Sequence, residues 1–130
     1  MLADTMSENG TYRILVVDDD EFVRNLVRVI LKRAGYDADA AGDGSEALAK
    51  IGEQRYDLVM LDLMMPRVDG LQVISQLDQS DDDMPPIVVM TAADDTMVER
   101  IPRQLVKAVI RKPFDVSELT SLVAGAIEAR

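Results

Sequence analysis

Asp18, Asp19 and Asp20 stand directly after the apolar run Ile14-Leu15-Val16-Val17, and a lone acid, Asp62, ends a second run, Leu58-Val59-Met60-Leu61. A third run, Ile87-Val88-Val89-Met90, ends in Thr91, and a weaker fourth, Ala108-Val109-Ile110, reaches Lys112-Pro113 one residue later. If these runs are parallel strands of one sheet, their carboxyl ends share an edge, and ligands bind in the crevice there. Acid, acid, hydroxyl and amine then converge from distant parts of the chain. Carboxylates brought that close repel one another and need a cation. Oxygen ligands suit Mg2+, which keeps part of its water shell and often shares it with a phosphoryl group. Asp19 and Asp62 would hold such an ion, with Asp18 acting through water. Once metal and amine neutralise the phosphoryl oxygens, a carboxylate can act as nucleophile and form an acyl phosphate. Asp62, lone and central, is the candidate. Lys112 would set a point charge against the phosphoryl oxygens, and Thr91 would donate a hydrogen bond to the same group. This inventory suits phosphoryl transfer, in which positioning and charge stabilisation do most of the catalysis.

The elements that must position these residues alternate. After the first run, Phe22, Val23, Leu26, Val27, Ile30 and Leu31 recur at helical spacing. Asp20 can cap that helix and Gly35 can end it. Tyr36 to Ala41 is a second strand, and its Asp37 and Asp39 give it the character of an exposed edge. Gly42-Asp43-Gly44 is a turn, and Ser45 to Gln54 is a short helix with Ala47, Leu48 and Ile51 inward. Leu71, Val73, Ile74 and Leu77 mark a third helix beyond the turn at Val68-Asp69-Gly70. Gln79 to Asp83 is an acidic loop. The segment from Asp94 to Val106 is helical in period but contains Pro102, and an interior proline costs about 3 kcal/mol. A break or restart is expected near Ile101-Pro102. The last helix carries Asp115 as N-cap, Glu118 three residues on as a capping box, and Leu119, Leu122, Val123, Ala126 and Ile127 inward.

Five strands and five helices in strict alternation imply an α/β fold: one doubly wound (βα)5 domain with helices on both faces of a parallel sheet. The central runs are continuously apolar, as doubly covered strands should be. The edge character of the second strand suits the order 2-1-3-4-5 of flavodoxin-like folds. In that order the first and third strands are neighbours, so Asp18, Asp19 and Asp62 fall beside the switch point.

Composition narrows the chemistry. The chain of 130 residues is the size of one domain, and 48% hydrophobic residues can form a core. A formal charge of −10 disfavours direct contact with nucleic acid or an anionic membrane. There is no cysteine and no histidine, which excludes disulfides, thiolate chemistry and imidazole ligation. No apolar stretch approaches a membrane span. Residues 1–10 lack the apolar core of a secretory signal. Residues 1–11 are read as a disordered lead, residues 12–130 as the folded unit, and the cytoplasm as the default location.

Each candidate also has a plainer role. Asp18 to Asp20 could cap the first helix, although one acid suffices for that. Asp62 could form a turn before Pro66. Thr91 with Asp94 fits a T-x-x-D capping box. Met64 and Met65 could pack against neighbouring loops and helices. The specificity lies in their joint placement at four strand ends.

The segments ILVVDDDEFVRNLV, DLVMLDLMMPRVDG, VVMTA and RKPF, in that order and at these intervals, resemble the receiver domain of two-component response regulators over about residues 12–128. The resemblance implies that Asp62 accepts a phosphoryl group from a phosphohistidine on a histidine kinase or phosphotransfer protein. It makes Asp19 the main acidic Mg2+ ligand, with Asp18 its helper and Met64 contributing its backbone carbonyl. Thr91 becomes a switch hydroxyl, Lys112 the phosphoryl-binding amine, and the Lys112-Pro113 bond is often cis. Such a domain switches contacts with a downstream protein and is not an enzyme in the usual sense. The chain departs from the pattern at Val109, where an aromatic is usual, at Leu105 and Val106, where small residues are usual, and at Pro102. The expected switching region is therefore the irregular stretch from Thr91 to Val106. Two other functions share the topology. An Mg2+-dependent phosphatase with an aspartyl nucleophile would place a second acid two residues after Asp62, where Met64 stands. A flavin module would need small and hydroxyl residues where Asp18-Asp19-Asp20 stand.

Overall fold

The computed structural model describes residues 11–80 and 83–128; of the proposed lead at residues 1–11, residues 1–10 lie outside them, as does part of the acidic loop, while Thr11 lies within them and its hydroxyl donates to Asp37. The strands are β1 (Arg13–Val17), β2 (Asp37–Ala41), β3 (Leu58–Leu61), β4 (Ile87–Thr91) and β5 (Ala108–Arg111). The helices are α1 (Glu21–Arg33), α2 (Gly44–Glu53), α3 (Gly70–Gln79), α4 (Asp95–Val98) and α5 (Val116–Glu128). All strand pairs are parallel, in the order β2-β1-β3-β4-β5. This is the order the sequence implied.

Side chains alternate across a strand, so each central strand feeds two cores. Leu15, Val17, Val59, Leu61, Ile87 and Val89 face one core, with Ala47 of α2, Val73, Ile74 and Leu77 of α3, and Val98 of α4. Ile14, Val16, Leu58, Met60, Val88, Met90 and Ile110 face the other, with Val27 and Leu31 of α1 and Leu119, Val123, Ala126 and Ile127 of α5. Burial on both faces explains why these strands read as unbroken apolar runs.

Local signals set the helix ends. The Asp20 carboxylate accepts from the N–H groups of Phe22 and Val23. Gly35, at φ +99°, ends α1 in a Schellman arrangement: Tyr36 N–H donates to Leu31 O and Gly35 N–H to Lys32 O. Asp69 and Gln72 form a reciprocal capping box on α3. Glu118 N–H donates to Asp115 Oδ1 at the start of α5. The edge strand β2 uses the acids that marked it. Asp37 accepts from Thr11 Oγ1, and Asp39 from the hydroxyl of buried Tyr56 at 2.9 Å. Burial, then the bond to Asp39, pushes the Tyr56 phenol up to about 12.

Several boundaries move by one residue: α2 is Gly44–Glu53, β2 starts at Asp37, and α3 takes in Gln79. The end of α4 differs more. A break was expected near Ile101-Pro102, but α4 already ends at Val98. Arg100 N–H donates to Met97 O and Ile101 N–H to Val98 O, so the turn tightens instead of propagating. A helix continued to residue 102 would set the proline ring against the Val98 carbonyl, and Ile101 before a proline is itself driven from helical geometry. The chain resumes as a 3₁₀ turn, Arg103–Leu105, with Pro102 as its N-cap.

Candidate functional site

Parallel pairing brings the chemistry together at the carboxyl edge. Val17 stands opposite Leu61 in the β1–β3 register, so Asp18 and Asp62 leave adjacent strands at the same level. Asp62 N–H donates to Val17 O at 3.0 Å, which continues the ladder one step into the site. Thr91 stands opposite Arg111, and Lys112 N–H donates to Thr91 O at 2.9 Å. Gly70 seats α3 against the same edge. A Cβ there would lie 2.5 Å from Asp62 O and 2.7 Å from Leu63 Cα, so the close approach requires glycine.

The three consecutive acids have separate surroundings. Asp20 is the α1 cap. Asp18 is fully buried; its Oδ1 accepts from Asp20 N–H at 2.9 Å, and its Oδ2 lies 2.7 Å from Lys112 Nζ. The Arg24 guanidinium donates to the Asp18 carbonyl at 2.8 Å. Asp19 is exposed, and among the described residues its carboxylate has no partner. Carboxylate oxygens of Asp18, Asp19 and Asp62 all lie within 4.8 Å of one another.

Asp62 is buried. Met64 N–H donates to its Oδ1 at 3.2 Å, and Lys112 Nζ lies 3.5 Å from its Oδ2. Burial raises its carboxyl to about 6; Lys112 opposes the shift, Asp18 adds to it, and the Met64 N–H opposes it. Burial alone would lower the Lys112 ammonium, but the carboxylates of Asp18 and Asp62 outweigh it and hold the group above the usual lysine range. Thr91 is fully buried, and its Oγ1 accepts from Ala93 N–H at 3.0 Å. The alternative role of Thr91 in a Thr91–Asp94 capping box is not taken: the α4 cap is Asp94, which accepts from Met97 N–H. The Lys112-Pro113 bond is cis. Met64 is exposed and Met65 buried. With Asp19, Pro66, Asp69 and Met97 they line a cavity of about 380 Å³ beside the acids. A groove of about 410 Å³ lined by Arg55, Tyr56, Met84 and Pro85 lies at the opposite, amino edge of the sheet, away from this chemistry.

Sequence reasoning named Asp18, Asp19, Asp62, Met64, Thr91 and Lys112, and all six lie at this edge. It missed Arg24 and Arg111. Arg24 falls six residues after Asp18, one helical turn beyond the cap, within reach of the Asp18 carbonyl; that spacing was the available signal. Arg111 donates to Ala93 O and to Asp95 Oδ1, which no local pattern announces.

The residues fit a hard cation. The donor set is all oxygen, its carboxylates lie close together, and one member, Asp19, has no partner among the described residues.

Comparison with known proteins agrees with the geometry. Residues 14–124 match the family model of the response regulator receiver domain. The response regulator MprA of Mycolicibacterium vanbaalenii is 48% identical over 109 residues, covering 82% of this chain and 46% of that protein. The MprA of Mycobacterium leprae is 43% identical over 117 residues, covering 88% of this chain and 50% of the relative. The chain thus spans about half the length of the curated relatives it matches. Among solved structures, the response regulator TrrA of Thermotoga maritima, in complex with Mg2+-BeF, superposes with a TM-score of 0.80 at 34% identity, covering 89% of this chain and 99% of that one. The chemotaxis protein CheY4 of Vibrio cholerae gives 0.79 at 28% identity, covering 89% and 98%. Fold, strand-end acids and sequence matches agree, and the chain belongs to the receiver domains of two-component response regulators.

Proposed function

We propose that Asp62 is the phosphoacceptor and that residues 12–130 form the receiver unit. The observation that carries this reading is the clustering of buried Asp62 with Asp18 and Asp19, with the Lys112 ammonium within reach of both Asp62 and Asp18. The donor is a phosphohistidine on a histidine kinase or phosphotransfer protein. An Asp62 oxygen attacks phosphorus and the P–N bond to the imidazole breaks. The electron pair leaves on the histidine nitrogen, and an acyl phosphate forms on Asp62. Above its raised value of about 6 the Asp62 carboxyl is ionised and competent to attack. Lys112 sets its charge against the phosphoryl oxygens, and Thr91 turns its hydroxyl toward them.

Asp18, Asp19, Asp62 and the Met64 backbone carbonyl would hold Mg2+. The ion would offset the negative charge that the phosphoryl group brings among these acids. The output is a change in protein contacts, made through the β4–α4 loop and the irregular stretch to Val106. On this reading the chain is a signalling phosphoacceptor that handles its own phosphoryl group, and it works in the cytoplasm. The phosphatase alternative is not favoured, since Met64 occupies the place of its second acid and the family is that of receiver domains.

The test is labelling by acetyl phosphate with and without Mg2+. The wild type should take up one phosphoryl group in the presence of Mg2+, and Asp62→Asn should take up none. Equal labelling of the two would remove Asp62 from this role.

A further inference from the structure

Arg111 is the last residue of β5 and stands opposite Thr91 in the β4–β5 register. The next peptide, Lys112 N–H to Thr91 O, is also part of the ladder, so the arginine stands on a fixed base. Its guanidinium spans the β4–α4 loop and engages it twice. Nη1 donates to Ala93 O at 3.1 Å, and Nη2 donates to Asp95 Oδ1 at 2.6 Å. Ala93 is buried, and its own N–H donates to Thr91 Oγ1 at 3.0 Å. One residue therefore carries both the bond that holds the Thr91 hydroxyl and a bond that holds Arg111. Turning that hydroxyl toward a phosphoryl group on Asp62 disturbs the Ala93 bond, and residues 92–95 must shift with it.

We propose that Arg111 is a positioning residue that latches the β4–α4 loop and so sets how readily Thr91 turns toward Asp62; this rests on the reading of Asp62 as phosphoacceptor. The side chains of Arg111 and Asp95 are 48% and 85% exposed, and an ion pair that open contributes little to global stability. Its effect falls on a local equilibrium between two placements of a short loop, where a small bias changes populations severalfold. Lysine is no substitute, because one ammonium lacks the planar fork that reaches two acceptors.

The experiment uses the full chain with acetyl phosphate and Mg2+, comparing wild type, Arg111→Ala, Arg111→Lys, Asp95→Ala and the Arg111→Ala/Asp95→Ala pair. Amide exchange at Ala93 is read in parallel without phosphodonor. Arg111→Ala should label about threefold to tenfold faster than wild type, with Arg111→Lys between them. Asp95→Ala should act in the same direction, and the double variant should be no faster than Arg111→Ala. Ala93 exchange should rise while the melting temperature stays near wild type. Labelling at or below the wild-type rate with unchanged Ala93 exchange would overturn the latch alone. A wild type that takes no label would overturn the Asp62 reading, and with it the role of the latch in phosphorylation; Ala93 exchange, read without a phosphoryl group, tells the two failures apart.

Discussion

Lys112 and Asp18 form the tightest ion pair of the site: Nζ lies 2.7 Å from Asp18 Oδ2 but 3.5 Å from Asp62 Oδ2. The lysine that should serve a phosphoryl group on Asp62 is thus held by the neighbouring strand end. Asp18 is fully buried and the lysine side chain is 18% exposed, so removing the cation leaves a buried carboxylate uncompensated. Lys112→Ala should lose about 3 kcal/mol of stability in the presence of a chelator. Adding Asp18→Asn should restore much of it, because the orphaned charge is gone. Urea denaturation of the two single variants and the pair checks this; strictly additive losses would refute the pairing.

The raised carboxyl of Asp62 gives a pH dependence with a defined sign. The folded state holds this proton more tightly than the unfolded chain does, so between about pH 4 and pH 6 the native state binds more protons. Asp62 therefore costs stability increasingly as pH rises through that window, up to roughly 3 kcal/mol above it. Asp62→Asn has no such charge to bury. Without Mg2+, the variant should melt above the wild type at pH 7.5 and approach it as pH falls through about 6 toward 4. A constant gap across the range would contradict the buried carboxylate.

Mg2+ should act in the opposite direction on the wild type. A ligand of the native state stabilises it by about 1.4 kcal/mol at ten times its dissociation constant. The melting temperature should rise with millimolar Mg2+, and the rise should shrink sharply in Asp19→Asn, which removes the member of the acidic cluster that has no partner among the described residues. Thermal melts across a Mg2+ titration give the answer; an unresponsive wild type would exclude a metal site.

Gly70→Ala tests how the fold holds Asp62. The added methyl would meet backbone atoms of Asp62 and Leu63 at 2.5 and 2.7 Å, not the end of a flexible side chain. Overpacking of this kind costs about 2 kcal/mol, and relief requires moving α3 or the residue that carries the carboxylate. The variant should be less stable in urea and label more slowly with acetyl phosphate. Gly52→Ala, with open space around its Cβ, should do neither.

The sequence showed most of the frame because burial on both faces writes itself as continuous apolar runs, and Ile14 to Val17 is the plainest case. The acids were legible for a related reason, since Asp18 and Asp62 interrupt those runs where the strands end. What stayed hidden depends on pairing at a distance. Lys112 and Asp18 are 94 residues apart, and nothing local says that the lysine prefers Asp18 to Asp62. Asp37 and Asp39 read as open edge charges, yet Asp39 receives the Tyr56 hydroxyl through the approach of the chain entering β3 to β2. The Thr91–Asp94 spacing offered a capping box, but the strand runs through Thr91 and leaves Asp94 as the cap. Pro102 announced a break, but the helix stops three residues before Ile101, because i→i+3 bonds close it first.

The shortness of α4 has a consequence in time. Residues Asp95–Val98 make one turn, fastened by the Asp94 cap and by Arg111. No long helix must unwind or slide for this segment to take another form. A loop with one turn rearranges in nanoseconds to microseconds, far faster than two proteins meet and exchange a phosphoryl group. If Asp62 is the phosphoacceptor as proposed, the pace of the response would be set by encounter with the donor and by the lifetime of the bond on Asp62, and not by the rearrangement of this segment.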